Sequence, residues 1–344
     1  MVPTDSNSTA DDDGFDQTLD QLGEQALIQR LARFAAPGQL DDDTAEINPE
    51  GKPLLVTTDV LVDGVHFSPT TTSAQDVGWR AVAANLSDLA ASGAERIEGI
   101  TVGLVAPGNT RWGWVEAVYE GISEALDRFG GSLLGGDCSR GDQTILAITA
   151  FATLGPLRLL RSQAKPGDWL IVSGPHGLSR LGLALLQAEQ QQLTAQVPAE
   201  LQQQAIVAHQ RPRPRLDGMG ALVNCKPQDI PWRAGGTDSS DGLLTALKGL
   251  CEASNCQALL RPTALPRAPG WPQGPLWDQW CLSGGEDFEL VLSLPESWAR
   301  AWLAKIPGSR QIGVMGPGEA RVCWDNGQEL KAVETGFEHF GTTC

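Results

Sequence analysis

The chain has 344 residues, which favours two domains at roughly 100–200 residues per domain, and 41% of its residues are hydrophobic, enough for buried cores. Its net charge of −17 argues against nucleic-acid binding, because phosphate backbones attract surfaces rich in Lys and Arg. No run of about 18 apolar residues occurs, so we expect no transmembrane helix and no membrane partner, and the polar, acidic start does not resemble a secretory signal.

The first half of the chain alternates between predicted helices and strands. Residues 1–17 are polar and acidic, and we expect a disordered tail there. Hydrophobic periodicity then predicts helices in LDQLGEQALIQRLARF, DVGWRAVAANLSDLAASGA and WGWVEAVYEGISEALDRFG. Strands are predicted at LLVTT, which runs into a loop at Asp59, in IEGITVGLVAPG and in TILAITAFATLG, with a strand end and a Gly-rich turn at GSLLGGDCSRG. The alternation favours an α/β or α+β fold in which helices cover a sheet.

A second domain is predicted after a break near residues 155–168, where Gly, Pro and basic residues cluster. We therefore expect one domain over 18–157 and another over 158–344. Strands are predicted at WLIVSG, FELVLSLP, RQIGVMG and ARVCWDN, and helices in GLSRLGLALLQAEQ, in the Gln- and Ala-rich stretch that ends at Gln210, and in DGLLTALKGLCEAS. The segment RPRPRL is predicted to be extended, and residues 261–278, rich in Pro and Trp, to form a loop.

The seven cysteines predict neither a disulfide framework nor a zinc site, because their number is odd and no CxxC pair occurs. Reduced thiols are typical of the cytoplasm, so together with the lack of an export signal they lead us to expect a cytoplasmic protein. We expect the terminal Cys344 to be a solvent-exposed residue without a role.

Aspartate residues concentrate at predicted turns beside small residues. Four such segments are residues 41–44 (DDDT), 57–59 (TTD), 135–137 (GGD) and 237–242 (TDSSDG), and Asp88 is a fifth acidic position, inside an apolar helix. A carboxylate at a strand end or within an apolar helix is costly to bury unless it has a partner. Magnesium is a suitable partner, because it takes oxygen ligands and is usually held by a few carboxylates together with substrate phosphates.

For any one of these segments, helix capping is the simpler interpretation. Asp and Ser cap helix N-termini well, and Asp238, Ser240 and Asp241 precede the predicted helix in DGLLTALKGLCEAS. Capping does not explain all five acidic positions together, so we interpret the set as a site for metal ions.

Glycine pairs and basic residues are a second signal of phosphate binding. Gly135 and Gly136, like Gly284 and Gly285, would let backbone N–H groups approach a phosphate, although such pairs also form ordinary turns. The spacing does not match the Walker A pattern of P-loop enzymes. Arg161 and the arginines of RPRPR could neutralise phosphates, and for RPRPR a purely solubilising role is an equal alternative.

Taken in order, these segments resemble the thiamine-monophosphate kinase family of the PurM-like (aminoimidazole ribonucleotide synthetase-related) ATP-binding superfamily. The resemblance extends from about Gly23 to Phe340. It rests on the ordered set GEQALIQRLA, DDDTAEI, TTDVLVDGVHF, WRAVAANLSDLAASGA, LLGGDCSRG, LRSQAKPGDW, HQRPRPRL, TDSSDGL, LSGGEDFEL and TGFEHF. TTDVLVDGVHF and SGGEDFEL separate this family from its relatives.

The resemblance implies an enzyme that uses ATP and several Mg²⁺ ions to phosphorylate thiamine monophosphate. It implies two PurM-like domains, an N-terminal mixed sheet with helices and a C-terminal α/β domain. The N-terminal sheet would pair with a second copy in a homodimer, and the ATP site would lie between the domains, close to the dimer interface. No general base is implied.

The resemblance also implies roles for single residues. The implied magnesium ligands are Asp43, Thr57, Thr58, Asp59, Asp88, Asp137, Asp238 and Asp241. The implied ATP contacts are Gly136, Asp137, Arg161 and Ser240. The implied contacts to thiamine phosphate are His66, Glu286 and Phe337, and the aromatic ring of the last suits stacking on a flat heterocycle.

The chain departs from the family pattern at three places. Asp41 stands where a Gly is usual, the turn SGPHGLSRLGL lacks its usual acid, and Ser239 replaces an aliphatic residue. Two alternatives therefore stay open. One is another PurM-like enzyme, such as a selenophosphate synthetase or a hydrogenase-maturation carbamoyl dehydratase. The other is a degenerate protein that binds a nucleotide or thiamine phosphate without turnover.

Overall fold

The computed structural model describes most of the chain, namely residues 16–22, 27, 30–34, 51–188 and 195–330. The tail predicted over 1–17 lies outside these residues except for its last two positions, and the candidate site residues Asp43 and Phe337 also lie outside them. Within the described ranges, no helix combines the length and apolar composition that crossing a membrane requires.

The first sheet has four strands and is mixed, as the fold class predicted. Its part of the chain contains helix α1 Leu19–Leu22, a 3-10 helix Ala32–Phe34, β1 Leu54–Val62, α2 Ala74–Ala90, β2 Ala94–Ala106, α3 Trp112–Phe129, β3 Leu133–Arg140 and β4 Ile145–Leu154. The strand order is β1-β4-β2-β3. Strand β4 pairs antiparallel with β1 and β2, and β3 pairs parallel with β2.

Two segments predicted as loop or turn are strand. Strand β1 continues through Asp59, which pairs with Ile148, instead of ending there. The glycines of LLGGDC lie within β3, where a Cβ at Gly136 would overlap the Val102 carbonyl oxygen of β2. Both predictions were wrong because a neighbouring strand, which the local pattern does not reveal, supplies the pairing that keeps the backbone extended.

Helices α2 and α3 cover one face of this sheet. They cross at close range on two glycines, since a Cβ at Gly78 would overlap the Val118 carbonyl oxygen and a Cβ at Gly121 would overlap the Gln75 carbonyl oxygen. Their apolar side chains pack with the inward residues of the strands into one hydrophobic core. This close packing fixes the position of α2 relative to β1.

The other face of the first sheet carries exposed apolar side chains. Leu54, Val56 and Val60 on β1 are 42%, 63% and 43% exposed. Because side chains alternate along a strand, these residues point to the face opposite Asp59 and the buried Leu61. Contiguous exposed apolar side chains usually mark an interaction surface.

The second sheet has six strands. Its part of the chain contains a 3-10 helix Arg161–Gln163, β5 Trp169–Val172, α4 Leu178–Leu186, α5 Ala199–Gln210, α6 Leu216–Asn224, β6 Gly235–Asp238, α7 Leu243–Ser254, β7 Gln257–Leu260, a 3-10 helix Pro262–Ala264, α8 Pro275–Ser283, β8 Leu290–Leu294, α9 Glu296–Leu303, β9 Arg310–Gly316 and β10 Val322–Trp324. The strand order is β10-β7-β9-β5-β8-β6. Strands β10 and β7 pair in parallel, and the other pairs are antiparallel.

Short elements of the second half escaped the sequence patterns. Helices α6 and α9 and strands β6 and β7 were not predicted, Thr237 and Asp238 of β6 having been assigned to an acidic turn, and α8 begins at Pro275 inside the loop predicted over 261–278. Elements this short contain too few residues for a clear hydrophobic period, so their packing decides their structure. The strands of the first sheet all precede residue 155 and those of the second follow residue 168. The domain division at 157 and 158 stays a prediction.

Two tryptophans of α9 anchor one of the cores beside the second sheet. Trp298 and Trp302 are fully buried. Their indole N–H groups donate to the Leu222 carbonyl at 2.9 Å and the Gly218 carbonyl at 2.8 Å, both in α6. Each ring therefore fills apolar space and also satisfies a backbone acceptor of the neighbouring helix.

We expect Trp302→Ala to lower the free energy of unfolding by about 3–5 kcal/mol, because it leaves a cavity and removes a hydrogen bond. Trp232→Ala is the matched control, since Trp232 is 48% exposed and its removal should cost about 1 kcal/mol or less. Guanidinium denaturation followed by circular dichroism measures both values. Equal costs in the two variants would contradict the anchoring role of Trp302.

Candidate active site

Helix α2 places buried polar side chains between the two sheets. Asn85 and Ser87 are almost completely buried. The Asn85 side-chain oxygen accepts the backbone N–H of Asp59, in β1, at 3.1 Å. The Ser87 hydroxyl donates to the carboxylate of Asp238, in β6, at 2.7 Å. One helix thus fixes the position of an aspartate from each sheet.

Asp88, one residue further along α2, binds to β1 through a side chain. Its carboxylate accepts a hydrogen bond from the Thr57 hydroxyl at 2.6 Å. Thr57 and Asp59 lie on the same face of β1, because they are two residues apart in a strand. This face is the one that α2 covers, so the predicted ligands Thr57, Asp59 and Asp88 come together.

Four aspartates form an acidic cluster, defined here as Asp59, Asp88, Asp238 and Asp241. Burial, followed by repulsion from the other three carboxylates, raises the pKa of Asp59 from its ordinary value of 3.8 to about 6. Burial and then repulsion from Asp88 raise the pKa of Asp238 to about 6, against the hydrogen bond from Ser87. Burial also raises the pKa of Asp88, although the Thr57 hydrogen bond opposes it. The carboxylates therefore repel one another across the junction of β1, α2 and β6.

The acidic cluster offers only oxygen donors, from carboxylates and neighbouring hydroxyls. Among the residues that the structure describes, no three His, Cys, Asp or Glu side chains converge into a ready-made coordination shell. Magnesium seldom needs one, because it commonly binds one or two carboxylates and completes its octahedron with water and substrate phosphates. The donor set therefore fits Mg²⁺ bound together with a phosphorylated ligand, rather than a closed structural metal site.

A pocket of about 530 Å³ opens beside the acidic cluster. Its lining includes Thr57, Asp88, Thr237, Asp238 and Arg161. The Arg161 side chain is exposed, and its Nε donates to the Thr237 hydroxyl at 3.1 Å. The pocket thus has carboxylates and a guanidinium in one wall, which suits a phosphate chain that is bound with a cation.

Ser240 connects the acidic cluster to the turn that carries Glu286. Its hydroxyl donates to the Asp238 carboxylate at 3.2 Å, and its carbonyl oxygen accepts the Glu286 N–H at 2.6 Å. Glu286 has a left-handed backbone with φ of 56°, which costs a non-glycine residue about 1 kcal/mol or more. Surrounding contacts must therefore hold this turn in place.

His66 and Glu286, the predicted contacts to thiamine phosphate, share one arginine. Nη2 of Arg80 donates to the Glu286 carboxylate at 2.6 Å and to the His66 carbonyl oxygen at 3.3 Å. Nδ1 of His66 in turn accepts the backbone N–H of Val62 at the end of β1 at 3.0 Å. Residues 220 positions apart along the chain are thereby brought to the same side of α2.

Gly136 and Asp137 lie away from the acidic cluster within one copy of the chain. Their strand, β3, forms the opposite edge of the sheet from β1, which corresponds to three strand spacings or roughly 14 Å. The register from Asp137 through Gly103 leads to Val60, so Asp137 shares the outer face with Val60 and not the inner face with Asp59. A single copy does not bring Asp137 to the other predicted ligands.

Thr58 is a further predicted magnesium ligand that does not face the acidic cluster. Thr58 lies on the outer face of β1, where its hydroxyl shares a hydrogen bond with Thr149 at 2.8 Å. Asp43 and Phe337 lie outside the described residues, so their roles stay predictions.

The arginines of the RPRPR segment have structural partners. Arg211 forms ion pairs with Asp76 at 2.5 Å and Glu124 at 2.8 Å, which tie the segment to α2 and α3. Arg215 forms an ion pair with Glu289 at 2.5 Å. These contacts indicate that the two arginines hold parts of the fold together. The sequence had suggested either phosphate binding or a solubilising role for this segment, and neither includes such contacts.

Several polar residues of the site were missed in the sequence. Arg80, Asn85 and Ser87 lie in the same apolar helix as Asp88, which had been singled out because a buried polar group needs a partner. The same argument applied to every polar residue of α2 would have found all of them.

Asp287 is a further residue that the sequence did not single out. It lies next to Glu286, and its carboxylate accepts the N–H groups of Gly177 at 2.7 Å and Ser179 at 3.1 Å, where α4 begins. Burial raises its pKa to about 7, against these two hydrogen bonds. A carboxylate from a remote part of the chain therefore caps the N-terminus of α4.

Comparison with known proteins agrees with this geometry. Residues 41–154 match the model of the AIR synthase related protein, N-terminal domain. The thiamine-monophosphate kinase of Prochlorococcus marinus is 54% identical over 325 residues, which are 94% of this chain and 98% of the relative. The crystal structure of thiamine-monophosphate kinase from Stenotrophomonas maltophilia matches with a TM-score of 0.72 at 32% identity, covering 84% of this chain and 90% of that one.

A third relative has ligands bound. The structure of AaThiL complexed with AMPPCP and TMP matches with a TM-score of 0.71 at 27% identity, and the match covers 95% of this chain and all of that one. The similarity spans both sheets, and in sequence it spans the acidic cluster and the turn that carries Glu286. The pocket, the clustered carboxylates and these relatives together show that the chain belongs to the thiamine-monophosphate kinase family.

Proposed function

We propose that this protein transfers the γ-phosphoryl group of ATP to the phosphate of thiamine monophosphate, giving thiamine diphosphate and ADP. The observation that carries the proposal is the acidic cluster beside the pocket with Arg161, in a chain 54% identical to a thiamine-monophosphate kinase. The AaThiL complex with AMPPCP and TMP supports a site that holds a nucleotide and a second phosphorylated ligand together. A cytoplasmic location, where ATP is available, fits this reaction.

The transfer requires no general base from the protein. An oxygen of the thiamine monophosphate phosphate forms a bond to the γ-phosphorus, and the bond from that phosphorus to the bridging oxygen of ADP breaks. The acceptor oxygen is already ionised near neutral pH, because the second pKa of a phosphate monoester is about 6. The task of the protein is therefore to align the two phosphates and to offset their repulsion.

The chain's own residues divide this task between two sides of α2. Arg161 and Ser240, which lie beside the acidic cluster, would contact the phosphates of ATP. His66 and Glu286, on the Arg80 side, would bind thiamine monophosphate. Since Ser240 and Glu286 are joined by a backbone hydrogen bond, the two substrate sites have a fixed separation.

We propose that Asp59, Asp88, Asp238 and Asp241, with Thr57, hold Mg²⁺ at this site. Held by these residues, Mg²⁺ would supply positive charge that screens the negative charge of two phosphorylated substrates in a protein of net charge −17. The raised pKa values of Asp59 and Asp238 support this assignment, because they result from burial and from repulsion between the carboxylates, and the concentrated negative charge behind this repulsion attracts a cation.

We further propose that the protein is a homodimer in which the outer face of the first sheet is covered. The exposed Leu54, Val56 and Val60 support this, and so does the position of Asp137 on that face. Strands β1 and β3 are the two free edges of the sheet. Packing against a second copy could bring the partner subunit's Asp137 to the β1 edge and complete the set of predicted ligands.

The direct test is turnover by the purified protein. With ATP, Mg²⁺ and thiamine monophosphate, we expect thiamine diphosphate, detected as fluorescent thiochrome diphosphate, together with an equal amount of ADP. ADP without thiamine diphosphate would indicate another acceptor within the superfamily. Binding of both ligands without either product would indicate a degenerate binding protein.

Asp59→Asn should reduce kcat on the order of 100-fold or more, because it removes a ligand whose charge acts in the transition state. The same change should stabilise the Mg²⁺-free protein, since it relieves repulsion within the acidic cluster. Folding raises the pKa of Asp59 from 3.8 to about 6, so ionised Asp59 destabilises the fold, and this effect is absent below pH 4 and complete above pH 6.

Thermal unfolding in EDTA measures this second effect. We expect the Asp59→Asn variant to unfold several degrees above the wild type at pH 7.5, and the difference to vanish at about pH 4. Asp229→Asn, an exposed aspartate outside the cluster, is the matched control and should change neither activity nor stability. An Asp59→Asn variant that is less stable than the wild type at pH 7.5 would contradict the inference that ionised Asp59 destabilises the fold.

Subunit complementation tests the shared site. Asp59→Asn and Asp137→Asn should each be nearly inactive alone. After mixing and subunit exchange, about a quarter of the wild-type activity should return, because half of the dimers are then mixed and each mixed dimer has one intact site of two. Mass spectrometry would verify that subunits have exchanged. If exchange occurs and no activity returns, both aspartates belong to the site of the same subunit.

A further inference from the structure

Arg80 is a buried cation at the meeting point of three separate chain segments. Its side chain is 4% exposed. It donates to the His66 carbonyl in the loop after β1, to the His209 carbonyl at the end of α5, and to the carboxylate of Glu286. Neither the sequence motifs nor the reaction described above assigns it a role.

Its burial means that Arg80 cannot be a substrate contact in this arrangement. Glu286, by contrast, is 35% exposed, so one side of its carboxylate faces the site while Nη2 of Arg80 holds the other. The arginine therefore lies behind the residues that are placed to bind thiamine monophosphate. A residue in this location acts on the substrate only through its neighbours.

The chemistry of the three contacts requires arginine. A buried guanidinium is costly unless its charge is balanced, and here the Glu286 carboxylate and the carbonyl groups at the C-terminus of α5 balance it. The planar fork reaches several acceptors in fixed directions, which a lysine ammonium on a flexible stem does not. Arg80 thus determines the distance between the His66 loop and the Glu286 turn.

The Glu286 turn depends on such support. Its left-handed backbone is strained, and among the described residues its carboxylate makes longer contacts with Ser179 at 3.5 Å and His209 at 3.7 Å. Burial and then Arg80 lower the pKa of His209 to about 4, so His209 is neutral at physiological pH and does not replace the arginine as a cation.

We propose that Arg80 is a positioning residue that sets the affinity for thiamine monophosphate by holding the His66 loop and Glu286 in one arrangement, without contacting either substrate. This inference rests on the proposed function, because it assigns the substrate that the His66 and Glu286 side of the site binds. It predicts an effect that is confined to one of the two substrates.

Arg211 supplies a matched control for a purely structural effect. It also pairs with α2, through Asp76, and with α3, through Glu124, but it has no contact with Glu286 or His66. Arg211→Gln therefore removes an arginine that links the same helix to the same part of the chain, while the substrate side of the site keeps its supports.

The experiment measures kcat and KM for both substrates, and the Kd of thiamine monophosphate by calorimetry without ATP, in wild type, Arg80→Lys, Arg80→Met and Arg211→Gln. For Arg80→Met we expect the KM and Kd of thiamine monophosphate to rise at least about 10-fold, with the KM of ATP and kcat within about 3-fold of wild type. The KM and Kd of thiamine monophosphate for Arg80→Lys should lie between those of the wild type and Arg80→Met. Arg211→Gln should leave kcat, both KM values and this Kd near those of the wild type.

A double-variant comparison tests whether Arg80 acts through Glu286. In a Glu286→Gln background, Arg80→Met should raise the KM of thiamine monophosphate much less than it does alone, because the shared interaction is already lost. The double variant also removes both charges of the buried pair, so it should fold even where Arg80→Met alone does not.

The outcomes separate the two hypotheses. Wild-type binding of thiamine monophosphate by a folded Arg80→Lys or Arg80→Met variant would overturn the positioning role while leaving the proposed function intact. An equal loss of affinity for ATP and thiamine monophosphate would assign Arg80 a general structural role instead. No turnover of thiamine monophosphate by the wild type would overturn the proposed function and this inference together.

Discussion

Helix α2 is the element on which the rest of the site depends, because residues of both sheets form hydrogen bonds to its buried polar side chains. Asn85 holds the backbone of β1, and Ser87 holds Asp238 of β6. Two turns earlier, Arg80 holds the Glu286 turn. A buried polar group that loses its partner costs its full desolvation, about 1–3 kcal/mol and more for a charge. Each sheet is therefore held to the helix by buried hydrogen bonds that water cannot replace, and the site lies where these hydrogen bonds come together.

Charge distribution divides this junction into two parts. On the side of Asp59 and Asp238, burial and the repulsion between carboxylates raise the pKa values of both residues. On the side of Arg80, a buried guanidinium is balanced by Glu286. The first part gathers negative charge, whereas the second is an ion pair of opposite charges. Under the proposed function, a cation bound at the first part would offset its charge and allow a protein of such negative charge to bind anionic substrates.

Much of the site was visible in the sequence, for a definite reason. Asp88 lies within an apolar helix and Asp59 directly follows an apolar strand segment, and such acids need partners wherever the chain places them. Helices as long as α2 and α3 were also predicted, because their hydrophobic period is unambiguous. Short elements were not, because a helix of eight or nine residues or a strand of four acquires its structure from what it packs against. The extended backbone at Asp59 was missed for the same reason, since only its pairing with β4 keeps it in the strand.

The sequence by itself indicated candidate residues of the site and an alternation of helices and strands typical of an α/β or α+β fold, because burial cost, hydrophobic period and motif order are properties of the chain. Tertiary structure alone decided which of these residues meet. It placed Thr57 beside Asp88, brought Glu286 to the His66 loop through Arg80, and left Asp137 on the far edge and opposite face of the sheet. The physical reason is that strand order and register connect residues far apart in sequence, and no local pattern records which strand will be the neighbour.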